Sequence, residues 1–534
     1  MHNDGLVYSK IVDCLSECRQ LISTSQWMSN THKSICDVDR RMSEPMQLAI
    51  VGRISSSKST LVNAILGKSE VVRTGHEAET FNVSWLKYGD DTAPIIVHFK
   101  NGQKQIVDRN NWAEWASHKG QQSLKNEVKY IEVTSSYEML KYLNIIDTPG
   151  LDATSKVDSE NTIDFLKTVN PDAVILLFSK SLSEDSLKLI NEFQNSETSM
   201  SFSINPMNAL GVLSKVDMNW DIMNDKDPLK ASEIAIRRTL SSRSDVNKVL
   251  FRILPLSALM GLSSSIITYD DRLAFEQIAK LDDKCITRLF ISPEFFVKEY
   301  DFIELSKRHR EELVLKYGLY GIYVCVRAIQ GSTGITLSEL SQILRRQSGF
   351  DAFIKLVISH FGDRAQLLKA QRGVVQLLEA INKDRVNVQT QEQLNIVNTI
   401  YSKVISIEND LHELKEWSLL LRIYENKVSV DDEFMREFLL ISGESGHSAI
   451  SKLNMADNAS ILDMVAYAAD RHKYWKSKFN AWYGLSPTKA EPYSVIAKSY
   501  ELLASRLQNQ NVEYEKAQRA IRIYNHYIYG KDSL

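Results

Sequence analysis

The residues with the most chemical content form the run Gly52-Arg53-Ile54-Ser55-Ser56-Ser57-Lys58-Ser59, followed by Thr60. The apolar stretch Leu48-Ala49-Ile50-Val51 precedes it and Leu61-Val62-Asn63-Ala64-Ile65-Leu66 follows. The order is strand, tight polar loop, helix, which is the context a phosphate-binding loop requires. Backbone N–H groups of such a loop, together with the N-terminus of the next helix, point at nucleotide phosphates. Lys58 would bridge the β and γ phosphates, and the Ser59 hydroxyl would ligate Mg²⁺. Gly52, Ser56, Ser57, Lys58, Ser59 and Thr60 are therefore candidate nucleotide contacts. Ser57 stands where the pattern has a glycine, so a Cβ there strains the loop or crowds the phosphates.

Further motifs follow in the order this chemistry needs. Thr80 precedes an extended run, Phe81 to Tyr88, where nucleotide switches place a residue that closes on Mg²⁺ and the γ-phosphate. Leu143-Asn144-Ile145-Ile146 leads into Asp147-Thr148-Pro149-Gly150. Asp147 can hold Mg²⁺ through water, and the Gly150 amide can sense the γ-phosphate. The next residue, Leu151, cannot orient water as a Gln side chain would. Ala209-Leu210-Gly211-Val212-Leu213 enters Ser214-Lys215-Val216-Asp217, a variant of the guanine-reading pattern Asn/Thr-Lys-x-Asp. The Asp217 carboxylate can accept from guanine N1–H and the 2-amino group, and the Lys215 stem can lie along the base. Val249 to Pro255 reads as a strand ending at Ser257-Ala258-Leu259, a backbone contact for the guanine oxygen. Asn224-Asp225-Lys226-Asp227 reads only as a surface charge run.

The elements that must position these residues alternate. Strands are expected at Leu48–Val51, Phe81–Tyr88, Lys129–Val133, Leu143–Ile146, Asp172–Phe178, Ala209–Leu213 and Val249–Pro255. Ile95–Phe99 and Lys104–Val107 flank Asn101-Gly102, a hairpin signature. A helix is expected from Ser183 to Phe193. Strands that alternate with helices and end in motifs define a doubly wound, mostly parallel α/β domain binding at its strand carboxyl ends. The rest reads as helix. Residues 1–44 carry helices expected to join a bundle with later segments. Residues 45–348 form the nucleotide domain, with 262–315 as an irregular insertion. Residues 349–534 form an all-α neck and trunk, expected as an elongated helical-bundle stalk with heptad-like stripes and a distal tip near 430–484. One stripe runs through Leu367, Leu368, Val374, Leu377, Leu378 and Ile381, the next through Ile396, Ile400, Val404, Ile407, Leu411 and Leu414.

At 534 residues the chain exceeds one compact core. A net charge of -3 without a basic segment argues against nucleic acid as the main partner. Cys14, Cys18, Cys36, Cys285 and Cys325 show no metal-ligand or disulfide spacing. Met-His-Asn-Asp-Gly begins no signal peptide, and no apolar run approaches the roughly 20 residues of a membrane span. A cytoplasmic protein, with membrane contact only at its periphery, is the expectation.

With these motifs the chain resembles bacterial dynamin-like proteins. Thr80 to Gly89 is similar to the family's switch-to-strand segment. Ser348 to Phe361 followed by Arg364 to Leu378 is similar to its passage from GTPase domain into the first long helix. The resemblance implies binding and hydrolysis of GTP to GDP with Mg²⁺, dimerisation across the nucleotide faces or pairing with a second dynamin-like subunit, and a stalk whose far end meets a lipid membrane. Eukaryotic dynamins carry a Gln where Ile54 stands, which leaves Ser55 to join Lys58 and Thr80 as the catalytic candidates and implies slow basal turnover. Arg53 is read as a solvent-facing loop residue. A nucleotide-gated scaffold working with a partner subunit is the alternative. Two segments qualify for membrane contact: Phe434 to Ile441, and His472 to Tyr483. In the second, Trp475, Phe479 and Trp482 share a face with Ile461, Met464, Val465 and Ala468, which favours bundle core.

Overall fold

The computed structural model describes residues 2–22, 27–53, 55–68, 82–112, 115, 127–150, 169, 171–179, 205–243, 245–246, 249–332, 334–362, 364–424, 427–443, 446 and 448–529. They fall into two compact units, one of Met1–Met42 with Asp363–Leu534 and one of Ser43–Gly362. The first begins with helices α1 (His2–Ile22) and α2 (Ser29–Ser43) and is otherwise built from the C-terminal helices. The second is α/β.

The α/β unit holds a nine-stranded sheet in the order β4-β3-β5-β2-β6-β1-β7-β8-β9. The strands are β1 (Met46–Gly52), β2 (Ser84–Tyr88), β3 (Ile95–Phe99), β4 (Lys104–Val107), β5 (Val128–Ser135), β6 (Leu143–Asp147), β7 (Ala173–Ser179), β8 (Ala209–Ser214) and β9 (Ile253–Leu256). Pairing is parallel through β6, β1, β7, β8 and β9, and antiparallel where β2 meets β6 and where β3 meets β4 and β5. Every residue of β1 is buried, as continuous apolar runs in a covered parallel strand demand. Ala49, Val51, Ile146, Val174, Leu176, Phe178 and Leu213 form one core with Ile236 and Val249. The last strand is shorter than expected, because Val249 and Leu250 bury their side chains from a turn that precedes β9.

Helices of this unit include α3 (Lys58–Leu66) and α4 (Pro228–Ser242). The stretch 262–315 is not irregular. It is α5 (Ala258–Ile266), α6 (Tyr269–Ala279), α7 (Asp283–Leu289), α8 (Pro293–Phe296) and the start of α9 (Lys307–Gly331), with α10 (Leu337–Gln347) and α11 (Phe350–Val357) after it. These helices are short enough to blur a periodicity window, yet Thr268, Asp282, Ser292 and Ser306 each cap one. Their apolar faces enclose a second core of Phe275, Phe290, Phe296, Leu313, Tyr317 and Leu344 around Trp220.

In the helical unit α1 packs against α12 (Ala365–Arg385) and α13 (Gln391–Asp410). Asp384 of α12 caps α2 from a distance in sequence, accepting from Thr31 N and Oγ1 and from Asn30 Nδ2, each at 2.7 Å. Linkers at 386–390 and Leu411 interrupt the long helical run, so α14 (His412–Tyr424) is separate. The remaining helices are α15 (Asp432–Ile441), α16 (Ala449–Leu453), α17 (Ile461–Tyr483) and α18 (Pro487–Tyr529). The first membrane candidate is a core segment: Phe434, Phe438 and Ile441 are buried, and Phe434 meets Trp475 edge-on at 5.5 Å. Met464, Ala468 and Trp475 line that core too.

A buried polar cluster gives this unit a pH dependence. Glu416 of α14 is 5% exposed, and burial pushes its carboxyl up to about 7 against the opposing charge of Lys452, the hydroxyl of Ser499 and the charge of Arg364. His412 lies 3.6 Å away and is pulled down to about 4 by burial, with Glu413 opposing. Because the folded state prefers neutral Glu416, its ionisation costs stability as pH rises from about 4.5 toward about 7. Glu416→Gln should therefore raise the melting temperature at pH 8 and leave it unchanged near pH 4. Equal shifts in thermal melts at both pH values would refute this.

Candidate nucleotide-binding site

Register decides what meets what. Ile50 is level with Asp147, Gly52 with Leu177, and Ser214 with both Ser179 and Leu256. The parallel strands therefore end together, and the phosphate loop, the acidic motif and the base motif share one edge of the sheet.

Gly52 closes β1 where no side chain fits, since a Cβ would lie 2.8 Å from Leu177 O and 2.7 Å from Ser56 Oγ. Ser55 is exposed with φ 59, and Ser57 caps α3 with φ 69 and ψ 27. Both are left-handed, and a residue with a Cβ sits there at a cost of about 1–2 kcal/mol. Lys58 is buried, its Nζ donating to Gly52 O and Arg53 O at 3.0 Å each. Ser56 is 1% exposed, and its Oγ has no hydrogen-bond partner among the described residues. Thr60 is half-buried in the first turn of α3.

Asp147 is fully buried at the end of β6, and its Oδ2 accepts from Ser59 Oγ at 3.1 Å. Burial pushes its carboxyl up to about 6, opposed by Lys58 and the Ser59 hydroxyl. Oδ1 is unpartnered among the described residues. A buried carboxylate oxygen left without a donor, beside a serine hydroxyl, fits a divalent cation held partly through water. Thr148 turns its hydroxyl back to Ile50 O at 2.9 Å, fixing the turn that carries the buried Gly150.

At the base end, Ser214 Oγ donates to Ser56 O at 2.8 Å. The guanine motif is thus tied directly to the phosphate loop through the residue that departs from its consensus. Lys215 is left-handed and starts the single turn Val216–Asn219, which presents Asp217. Ser257, 1% exposed, accepts from Met260 N at 3.3 Å and bonds Asp217 through its hydroxyl. Burial pushes the Asp217 carboxyl up, with Ser257 and Lys215 opposing. Ala258 follows as the first residue of α5.

Residues 48–216, the span that carries these parts up to the residue before Asp217, match the Dynamin family model. Through this segment the chain is similar to the dynamin family. Isoniazid-induced protein IniC of Mycobacterium tuberculosis is 24% identical over 458 residues, which cover 83% of this chain and 87% of its own. Dynamin-like protein 2 of Campylobacter jejuni is 30% identical over 146 residues, 27% of this chain and 23% of that one. Two solved structures of an oligomerised bacterial dynamin pair, described as sensing and tethering membranes, align at 15% and 13% identity. They cover 99% and 95% of this chain and 80% and 92% of theirs, with TM-scores of 0.31 and 0.33.

Within the α/β unit, Thr80, Ile54, Leu151 and the expected helix 183–193 lie outside the described residues. The run Asn224–Asp227 lies at the surface as expected, with Asn224, Asp225 and Lys226 exposed, but two of its carboxylates have structural partners. Asp225 accepts from Trp220 Nε1 at 3.2 Å and Tyr323 Oη at 2.8 Å, and Asp227 caps α4. A surface-like run gave no hint of those partners, because Tyr323 lies far along the chain.

Ser57→Gly should remove the left-handed strain. The expected gain is about 1 kcal/mol in stability, with tighter nucleotide binding. Thermal melts and a fluorescent-GDP titration read the two effects, and an unchanged melting temperature would show the loop unstrained.

Proposed function

We propose that this chain is a dynamin-like GTPase that couples GTP binding and hydrolysis to self-association, or to pairing with a second dynamin-like subunit, and to peripheral membrane binding. The observation that carries the reading is the joint placement of Lys58, the Ser59–Asp147 pair and the Ser214–Asp217–Ser257 set at one sheet edge. Lys58 exchanges its loop carbonyls for phosphate oxygens. The N–H groups at the start of α3 cradle the phosphates. Ser59 and Asp147 would hold Mg²⁺, with Thr80 as the further expected ligand, and the ion would neutralise charge developing on the transferred phosphoryl group. The Gly150 amide faces the γ-phosphate. Asp217 accepts from the guanine edge, Lys215 covers the ring, and the Ser257–Ala258 backbone meets the guanine oxygen. Ser55 is the polar group available near the attacking water.

For the membrane, the turn between α17 and α18 supports contact better than α15 does. Trp482, Tyr483 and Leu485 are 37%, 64% and 79% exposed, and Lys489 Nζ stands 5.2 Å over the Trp482 ring. Aromatic rings and lysines at an exposed turn suit the interface of an anionic bilayer. Membrane tethering is described for the bacterial dynamin pair, and here it is part of the proposal only. Among the described residues no helix is long and apolar enough to cross a bilayer. A nucleotide-gated scaffold is the second reading, favoured by the left-handed Ser57 where a phosphate loop has glycine.

Lys58→Ala should abolish GTP binding in a fluorescent-nucleotide titration; retained affinity would mean a misassigned loop. GTP turnover measured against anionic liposome concentration separates the two readings, because a scaffold binds GTP without a lipid-stimulated rate. A Trp482→Ser/Tyr483→Ser/Leu485→Ser variant should float with such liposomes several-fold less than wild type while melting normally. Unchanged flotation would remove this turn from the proposal.

A further inference from the structure

Helix α9 contains a break. At Gly318 the backbone takes φ 66 and ψ 165, with helix on both sides. That combination is open essentially to glycine alone. The break falls where α9 passes the base motif: a Cβ on Gly318 would stand 3.3 Å from Asp217 Oδ2 and 3.6 Å from Leu259 Cδ2. Such a contact is tight enough that the carboxylate would have to move.

The two halves of α9 are fixed separately on either side. Before the break, Tyr317 Oη donates to Asp271 Oδ2 at 2.8 Å and Lys316 Nζ pairs with the same oxygen at 2.5 Å. After it, Tyr323 Oη donates to Asp225 Oδ2 at 2.8 Å, and its ring lies 4.5 Å from that of Trp220. Trp220 Nε1 completes the tie to Asp225 at 3.2 Å. The chain that leaves Asp217 is thus clamped to the second half of α9, while the first half is clamped to α6. Gly318 is the joint between the clamps, and it abuts the carboxylate that Ser257 also bonds.

We infer that Gly318 is a positioning residue for guanine selection. By meeting Asp217 with bare backbone it leaves the carboxylate in the orientation that accepts from N1–H and the 2-amino group together. This rests on the reading of Asp217 as the guanine acceptor. Inosine nucleotides keep N1–H and lack the 2-amino group, so the ratio of GTP to ITP affinity reports how well the carboxylate is aimed. A site built around a specific hydrogen bond discriminates strongly against a ligand that lacks it.

The test uses the full chain, with competition of GTP, ITP and ATP against a fluorescent GDP. Gly318→Ala should lower GTP affinity about tenfold, the scale of a misplaced charge-assisted hydrogen bond, and bring the GTP-to-ITP ratio toward one. ATP affinity should stay unchanged. Tyr323→Phe loosens the second clamp without altering the joint and should reduce the same ratio by a smaller factor, which keeps the test decisive if the alanine variant does not fold. A general structural loss would lower all three nucleotides alike, and that result, or an unchanged ratio in both variants, overturns the role of Gly318. The Asp217 reading fails separately, if wild type binds GTP and ATP equally or Asp217→Ala leaves its GTP affinity intact.

Discussion

The parallel register that holds β1 between β6 and β7 is the constraint on which the nucleotide chemistry depends. It sets Ile50 level with Asp147 and Gly52 level with Leu177. A slip by one residue would turn the β1 side chains to the opposite face and carry Gly52 away from the Leu177 carbonyl against which only a glycine fits. The slip is resisted by burial: every residue of β1 is buried, and Ala49 and Val51 share a core with Ile146 of β6 and with Val174 and Leu176 of β7. Precision at the phosphate loop is therefore supplied from behind, by an apolar core that touches no phosphate.

On this base the polar parts are linked rather than merely adjacent. Ser214 joins the base motif to the phosphate loop, Ser59 joins the loop to Asp147, and Thr148 joins the acidic motif back to β1. A displacement at one motif is transmitted through hydrogen bonds to the others. The loop holds this arrangement with left-handed serines, at 55 and 57, that cost conformational energy. The core must over-determine the loop for such strain to persist.

The helical unit solves a different problem with similar means. Its apolar stripes bury Leu377, Ile381, Ile400, Val404 and Trp475, but register between helices also needs polar anchors. Asp384 caps α2, and Glu437 gathers Trp475, Tyr500 and Arg471. Each anchor is directional where apolar packing is not. The cost is borne at Glu416, whose burial favours its neutral form.

Much of this was legible in the sequence because its signals are local. A phosphate loop between an apolar strand and a helix, an acid at a strand end, Lys-x-Asp at another strand end, and a hairpin at Asn101-Gly102 all declare themselves within a few residues. They specify an α/β nucleotide unit and an all-α remainder, since periodicity and turn chemistry act over the same short range. Tertiary structure decided what depends on residues far apart in the chain. It gathered 262–315 around a second core, buried Phe434 and Phe438 within a bundle, and gave Asp225 of the surface charge run its ties to Trp220 and Tyr323. It also placed the break at Gly318 against Asp217, a hundred residues away, where no local pattern could show that a missing Cβ matters.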